Sequence, residues 1–163
     1  MEIERKWLLN LNDIPYNLHD YEHLDINQAY ICFAPTIRIR AISNMNEYIL
    51  TMKSKSNDGG LSRQEYELNI TKQEYEDLLN KKEGLVINKT RYKLPYGEYL
   101  MEIDIFHDEY EGLAYMEIEF ESDELAKSFI APDWVKDELT YDRRYSNASL
   151  AKGTLMSVIR KDK

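Results

Sequence analysis

Cysteine occurs once in this chain of 163 residues. Without a second, an internal disulfide framework is excluded, and so is a thiolate zinc cluster. A reducing compartment, the cytoplasm, is the natural home. Cys32 lies in Ala29-Tyr30-Ile31-Cys32-Phe33 and reads as core packing rather than as a nucleophile. Glycine is scarce at six residues, while tyrosine reaches thirteen, which argues against disorder and low complexity. No apolar run approaches transmembrane length, and the charged N-terminus lacks the apolar stretch of a signal peptide. Positive charge is in deficit: 21 Lys and Arg face 30 Asp and Glu, a formal net charge of −9, with no basic tail. A nucleic-acid duplex or an anionic membrane is therefore not an expected partner for the outer surface. That deficit places no constraint on an interior pocket.

What is present is a recurring alternation of charged and apolar residues. Length and composition suit one domain spanning residues 1–163. In Glu2-Ile3-Glu4-Arg5-Lys6-Trp7, a strand puts Glu2, Glu4 and Lys6 on one face and Ile3, Arg5 and Trp7 on the other. Residues 10–24 suggest a short helix, with Ile14, Leu18 and Tyr21 at helical spacing and His19 and His23 on its solvated side. A second strand is expected over Gln28–Phe33. The third, Thr36–Arg40, sets Arg38 and Arg40 against Ile37 and Ile39. The fourth, Glu47–Lys55, sets Thr51, Lys53 and Lys55 against Leu50 and Met52. The turn signal Asn57-Asp58-Gly59-Gly60 joins it to a fifth, Ser62–Leu68, with Arg63, Glu65 and Glu67 on one face.

Thr71 and Glu74 form a capping-box pattern for a helix whose apolar stripe is Tyr75, Leu78 and Leu79, with Gly84 as its stop. Strand six, Val86–Leu94, carries Lys89, Arg91 and Lys93 on one face. Strand seven, Tyr99–Phe106, carries Glu102 and Asp104, and strand eight, Ala114–Phe120, carries Tyr115, Glu117 and Glu119. Ser122 caps a helix ended by Pro132, and Ser146 or Asn147 caps a last one reaching Arg160, with Gly153 an awkward residue at its middle.

About eight strands joined mostly by short turns imply an antiparallel sheet. Their polar positions are charged, and the signs segregate: strand three is basic, strands four and six mostly basic, strands one, seven and eight mainly acidic. An open sheet with a wet face would mix signs within a strand, because like charges side by side repel. Two architectures remain, an open sheet with a charged face or a closed barrel. Segregation favours the barrel, with charged faces inward around a lumen and apolar faces outward under helices. One acidic and one basic wall suit a cation held by carboxylates and a polyanion bridging it to arginines and lysines.

The ordered motifs resemble the triphosphate tunnel metalloenzyme superfamily, also called the CYTH domain. Glu2-Ile3-Glu4-Arg5-Lys6 is similar to its N-terminal Glu-x-Glu-x-Lys. Arg38-Ile39-Arg40, Lys53, Arg63-Gln64-Glu65-Tyr66-Glu67, Lys89-Thr90-Arg91-Tyr92, Glu102-Ile103-Asp104, Glu117-Ile118-Glu119 and Arg144-Tyr145-Ser146-Asn147 follow in its order. One departure is Tyr141, where bacterial members commonly carry glycine.

The resemblance implies an eight-stranded antiparallel tunnel, an α+β fold with helices outside, and metal-dependent hydrolysis of a terminal phosphoryl group. Short bacterial members resemble inorganic triphosphatases. In this reading Glu2, Glu4, Glu119 and Glu117 would hold Mg2+ or Mn2+. Glu4, Lys6, Glu117 and Asp104 would be the catalytic set, Glu117 and Asp104 for a second metal or the attacking water. Lys6, Arg38, Arg40, Lys53, Arg63, Lys89, Arg91 and Arg144 would neutralise phosphate charge. The competing readings are a class IV adenylate cyclase, a thiamine-triphosphatase, and a non-catalytic module that captures triphosphates. A cyclase needs an adenine pocket that no segment announces, and a mere binder has no use for four metal carboxylates. The partner is a small triphosphate; a homodimer is compatible with the chain.

Overall fold

Strands β1 (Glu2–Leu8), β2 (Glu22–Phe33), β3 (Thr36–Ile42) and β4 (Glu47–Lys53) lead into two short strands, β5 (Ser62–Arg63) and β6 (Glu65–Asn69). Helix α1 (Lys72–Leu79), strands β7 (Glu83–Tyr96), β8 (Tyr99–Phe106) and β9 (Ala114–Glu119), and helices α2 (Asp123–Ser128) and α3 (Asn147–Lys152) complete the order. The computed structural model describes residues 2–54 and 62–155. Lys55, the turn at residues 57–60, the side chain of Arg63 and the stretch from 156 to Arg160 lie outside the described residues.

All pairings are antiparallel, in the order β5-β1-β9-β8-β7-β2-β3-β4-β6. β5 and β6 are one stretch of chain broken at Gln64. β6 runs along β4, whereas β5 pairs Ser62 and Arg63 with Ile3 and Glu2 of β1. The stretch thus ties the two ends of the sheet together, and with it counted once, eight strands form the barrel. Beyond Glu4 the same edge of β1 is taken by the chain after α2. Leu139 N–H donates to Lys6 O at 2.7 Å, and Leu8 N–H donates to Asp137 O at 2.9 Å. Arg5 points outward and fastens this stretch, donating to both Glu138 oxygens and to the carbonyls of Ala126 and Phe129.

Apolar residues pack on both sides of the wall. Outside, Ile3, Trp7, Met101, Ile103, Met116 and Ile118 form a buried cluster with Ala126 of α2. Ala29, Ile39 and Ala41 meet Tyr75 of α1, whose first turn is held by the full capping box of Thr71 and Glu74. Inside, Ile87, Phe106 and Tyr115 stand two residues from Lys89, Asp104 and Glu117 and therefore share their face. They cluster with Tyr30, Leu150 and Ala151. α3 is thus seated on the inward-facing end of the barrel, not on its outside as expected of every helix, while α1 and α2 are outside. Tyr110 anchors it, its hydroxyl donating to Leu150 O at 2.6 Å.

Several local expectations are corrected. Residues 10–24 make two 3-10 turns, Leu11–Asp13 and Leu18–Asp20, because Asn10 and Asn17 cap each turn with their own side chains. β2 begins already at Glu22, so His19 and His23 share no helix. α2 stops at Ser128, ahead of Pro132. Gly153 ends α3, adopting φ 78° at its C-cap. Cys32 is half-buried at the end of β2, outside the core clusters, with its thiol 3.0 Å from Pro35 O. Gly84 is not the stop of α1, which ends at Leu79; it lies inside β7 at φ 77°, where a Cβ would fall 2.2 Å from Ala151 O. The close approach of α3 to the barrel depends on that missing atom. Gly84→Ala should therefore cost about 2–4 kcal/mol, combining backbone strain with displacement of α3; a urea melt measures it.

Candidate active site

The barrel encloses a cavity of about 480 Å³ whose lining is almost wholly charged. Period-two alternation along each strand delivers these groups. Glu2 and Glu4 come from β1, Glu117 and Glu119 from β9, and Glu102 from β8. Glu65 and Glu67 come from β6. Opposing them are Arg38 and Arg40 from β3, Lys53 from β4 and Arg91 from β7. Asn147, at the start of α3, is the one neutral lining residue among those described.

The acidic side is crowded. Glu4 stands directly across the ladder from Glu119, and Glu102 from Glu117. Burial, then the neighbouring Glu117 and Glu2, push the Glu4 carboxyl up to about 7. Burial, Glu2 and Glu4 raise Glu119 in the same sense. Burial and the hydrogen bond with Glu65 raise Glu2, against the pull of Lys53, whose Nζ lies 3.1 Å from it.

The basic side divides in two. Arg91 is held by carboxylates: it donates to Asp104 through Nε at 2.7 Å and through a terminal nitrogen at 2.9 Å, with Glu102 at 3.3 Å and Glu117 at 3.7 Å. Arg38 and Arg40 have no ion-pair partner among the described residues. Arg38 reaches only Thr51 Oγ1 at 3.4 Å, and Arg40 donates to Gln28 Oε1 at 3.0 and 2.8 Å.

Four expected site residues, Lys6, Lys89, Asp104 and Arg144, do not line the cavity. Lys89 and Asp104 have side chains with 0% exposure and form a 2.7 Å ion pair. Burial alone would raise Asp104, but Arg91 and Lys89 hold its carboxyl far below the usual range. Both its oxygens accept from Arg91 and Lys89, so it braces Arg91, and Lys89 balances it beneath the lining. Arg144 lies on an outer cleft with Tyr141 and Arg143, paired with Asp142 at 2.7 Å and largely exposed. Lys6 lies just under the lining, 3.5 Å from Glu117 and over the Tyr115 ring. Burial opposes its charge, but Glu117 and Glu4 raise it. Arg63 is placed by its backbone alone, opposite Glu2. Gln28, expected only as the start of a strand, and Asn147, expected only as a cap and a motif member, were not foreseen as neighbours of the charged groups because neutral amides carry no charge pattern. Gln28's signal is its register, opposite Arg40.

A closed antiparallel barrel with an acidic and a basic inner wall defines a polyanion-handling tunnel. The CYTH domain model matches residues 1–152, and this chain belongs to that family. It is 40% identical over 154 residues to an inorganic triphosphatase of Nitrosomonas europaea, covering 92% of this chain and 96% of that protein. It is 38% identical over 128 residues to an inorganic triphosphatase of Acetivibrio thermocellus, covering 77% and 78%. A crystal structure of an inorganic triphosphatase superposes with a TM-score of 0.67 at 33% identity, covering 93% of this chain and 95% of that one. Membership implies a divalent metal cofactor. The oxygen-only donors Glu2, Glu4 and Glu119 fit a hard cation, which would relieve the burial and carboxylate crowding that raise Glu4 and Glu119. Among the described residues, no three acidic groups already converge as a ligand cluster.

Two outcomes follow from these charges. A carboxyl at about 7, against an ordinary 4.5, binds its proton more tightly folded than unfolded, so it destabilises the metal-free fold above pH 7 and has no effect below about pH 4. Metal-free Glu4→Gln should therefore gain about 1–3 kcal/mol at pH 8, shrinking to nothing near pH 4; thermal melts across that range with chelator present measure it. Asp104→Asn should instead cost about 3 kcal/mol, because it leaves Lys89 buried and poorly paired; chemical denaturation reads that loss.

Proposed function

We propose that this chain hydrolyses the terminal phosphoryl group of inorganic tripolyphosphate, with Mg2+ or Mn2+ as cofactor. The observation that carries the reading is the facing of Glu2, Glu4 and Glu119 toward Arg38 and Arg40 across one cavity. The described lining has seven carboxylates against four cationic heads, which would repel a bare polyanion. A polyanion therefore fits only together with cations, and only if arginines take its far side. The names of the relatives point the same way.

Glu2, Glu4 and Glu119 would hold the ion, which when bound polarises phosphate oxygens and offsets their charge. Arg38 and Arg40 bind the phosphate chain equally in ground and transition states, and Lys53 stabilises charge that builds as the terminal group departs. Arg91, kept rigid by Asp104, presents its guanidinium to the same chain. Glu117, fixed between Lys6 and Arg91, accepts a hydrogen bond from the attacking water and orients it. Arg63 joins the phosphate ligands from the β1 edge.

Among the described residues, no aromatic ring lines the cavity, so no platform awaits an adenine or thiazolium ring. A nucleoside adds bulk without transition-state stabilisation, which favours tripolyphosphate over ATP and thiamine triphosphate. Phosphate release from the three substrates with each metal tests this: tripolyphosphate should show the highest kcat/KM. Cyclic AMP among the products, or turnover in excess chelator, would refute it. Glu4→Gln should lower kcat/KM at least about 100-fold while remaining folded, since one anionic metal ligand is lost.

A further inference from the structure

We infer that Gln28 is a positioning residue that orients Arg40 for substrate while leaving its positive charge unneutralised. The inference rests on Arg40 being a phosphate ligand, as proposed above. Gln28 and Arg40 are directly opposite across the β2–β3 ladder. Gln28 is 0% exposed, and its Oε1 accepts from both Arg40 Nε at 3.0 Å and a terminal nitrogen at 2.8 Å. Two donors of one guanidinium on one acceptor fix the plane of the group, and the rest of the guanidinium faces the cavity that Arg40 lines.

The choice of amide is what matters. On β7 the equivalent brace of Arg91 is a carboxylate, Asp104, and Glu102 and Glu117 add to it. Arg91 thereby has its charge balanced within the protein. A carboxylate at position 28 would do the same to Arg40 with nearly identical shape. A glutamine makes the same hydrogen bonds and contributes no charge. Arg38, two residues along on the same face, also lacks an ion-pair partner among the described residues. Two adjacent guanidiniums thus keep their charge for an incoming anion. Burial, and after it the charges of Arg38 and Arg91, lower Arg40 to about 9. Gln28 Nε2 is itself buried with no hydrogen-bond partner among the described residues, so the amide is held at this position by its Oε1 contacts to Arg40. Neither guanidinium is relieved by a carboxylate that the position could readily accommodate.

Steady-state hydrolysis of tripolyphosphate by Gln28→Glu, with Arg40→Gln in parallel, tests the inference. Gln28→Glu should raise KM about tenfold or more, because it supplies an internal anion that competes with phosphate, and should change kcat by less than about threefold. The Mg2+ concentration needed for half-activation should stay put, since the acidic wall is untouched. A purely structural role predicts wild-type kinetics, because glutamate is isosteric and binds Arg40 more strongly; an unchanged KM in a folded Gln28→Glu overturns the inference. Should that variant fail to fold, Gln28→Met decides: without the acceptor Arg40 loses its orientation and KM should rise about threefold, whereas a wild-type KM overturns it. Arg40→Gln separates the two levels. If it leaves KM unchanged, Arg40 is no phosphate ligand and the underlying reading fails; if it raises KM while Gln28→Glu does not, only the role of Gln28 is refuted.

Discussion

Carboxylates sit directly opposite carboxylates across two ladders of this sheet, Glu4 against Glu119 and Glu102 against Glu117, and the rest of the structure is arranged around that repulsion. Like charges at ladder distance destabilise a sheet. The pairs persist because the barrel brings counter-charges to them: Lys53 from β4 and Lys6 act on Glu4, Lys6 also on Glu117, and Arg91 from β7 on Glu102 and Glu117. What those groups do not offset is left for ligands. The acidic side has capacity for a cation and the basic side has two guanidiniums without an ion-pair partner among the described residues, so the protein's own charges leave the site electrostatically unfinished in two opposite senses.

The remainder of the fold makes such an interior tolerable. The outer clusters under α1 and α2 supply apolar burial that the inner face cannot. At one end the inner face itself becomes apolar, where Ile87, Phe106 and Tyr115 meet α3. Lys6 and Lys89 lie against this aromatic layer, with their ammonium groups near the Tyr115 and Phe106 rings. The charged section is thereby bounded rather than continuous, and ions within it interact in a partly desolvated space where each is worth more than in water.

The basic residues are not equivalent, although they look alike as a set of lysines and arginines. Lys89 and Asp104 form a buried support, Arg91 is balanced by three acidic neighbours, and Arg38 and Arg40 remain uncompensated. Function in such a tunnel depends on which charges are already satisfied, a property of pairs and not of residue types.

Alternation in the sequence was enough to determine most of the strands and the segregation of charge by strand, since period two follows from the backbone itself, and that segregation favoured an inward turn of the charged faces over an open sheet. The capping box of α1 was equally local and equally legible. Tertiary structure decided what alternation cannot encode. Only three-dimensional packing shows that Lys89 is covered while Arg91 is not, though they share a face of β7. It alone places α3 at the barrel's end, a position that depends on Gly84 meeting Ala151. It turns Arg144 away from the cavity, because Asp142, two residues earlier, captures it first. Gln28 became visible only through its register opposite Arg40. For Lys89, α3 and Gln28 the reason is the same: a strand's own residues dictate which way a side chain points, whereas what it meets there is supplied by other segments of the chain.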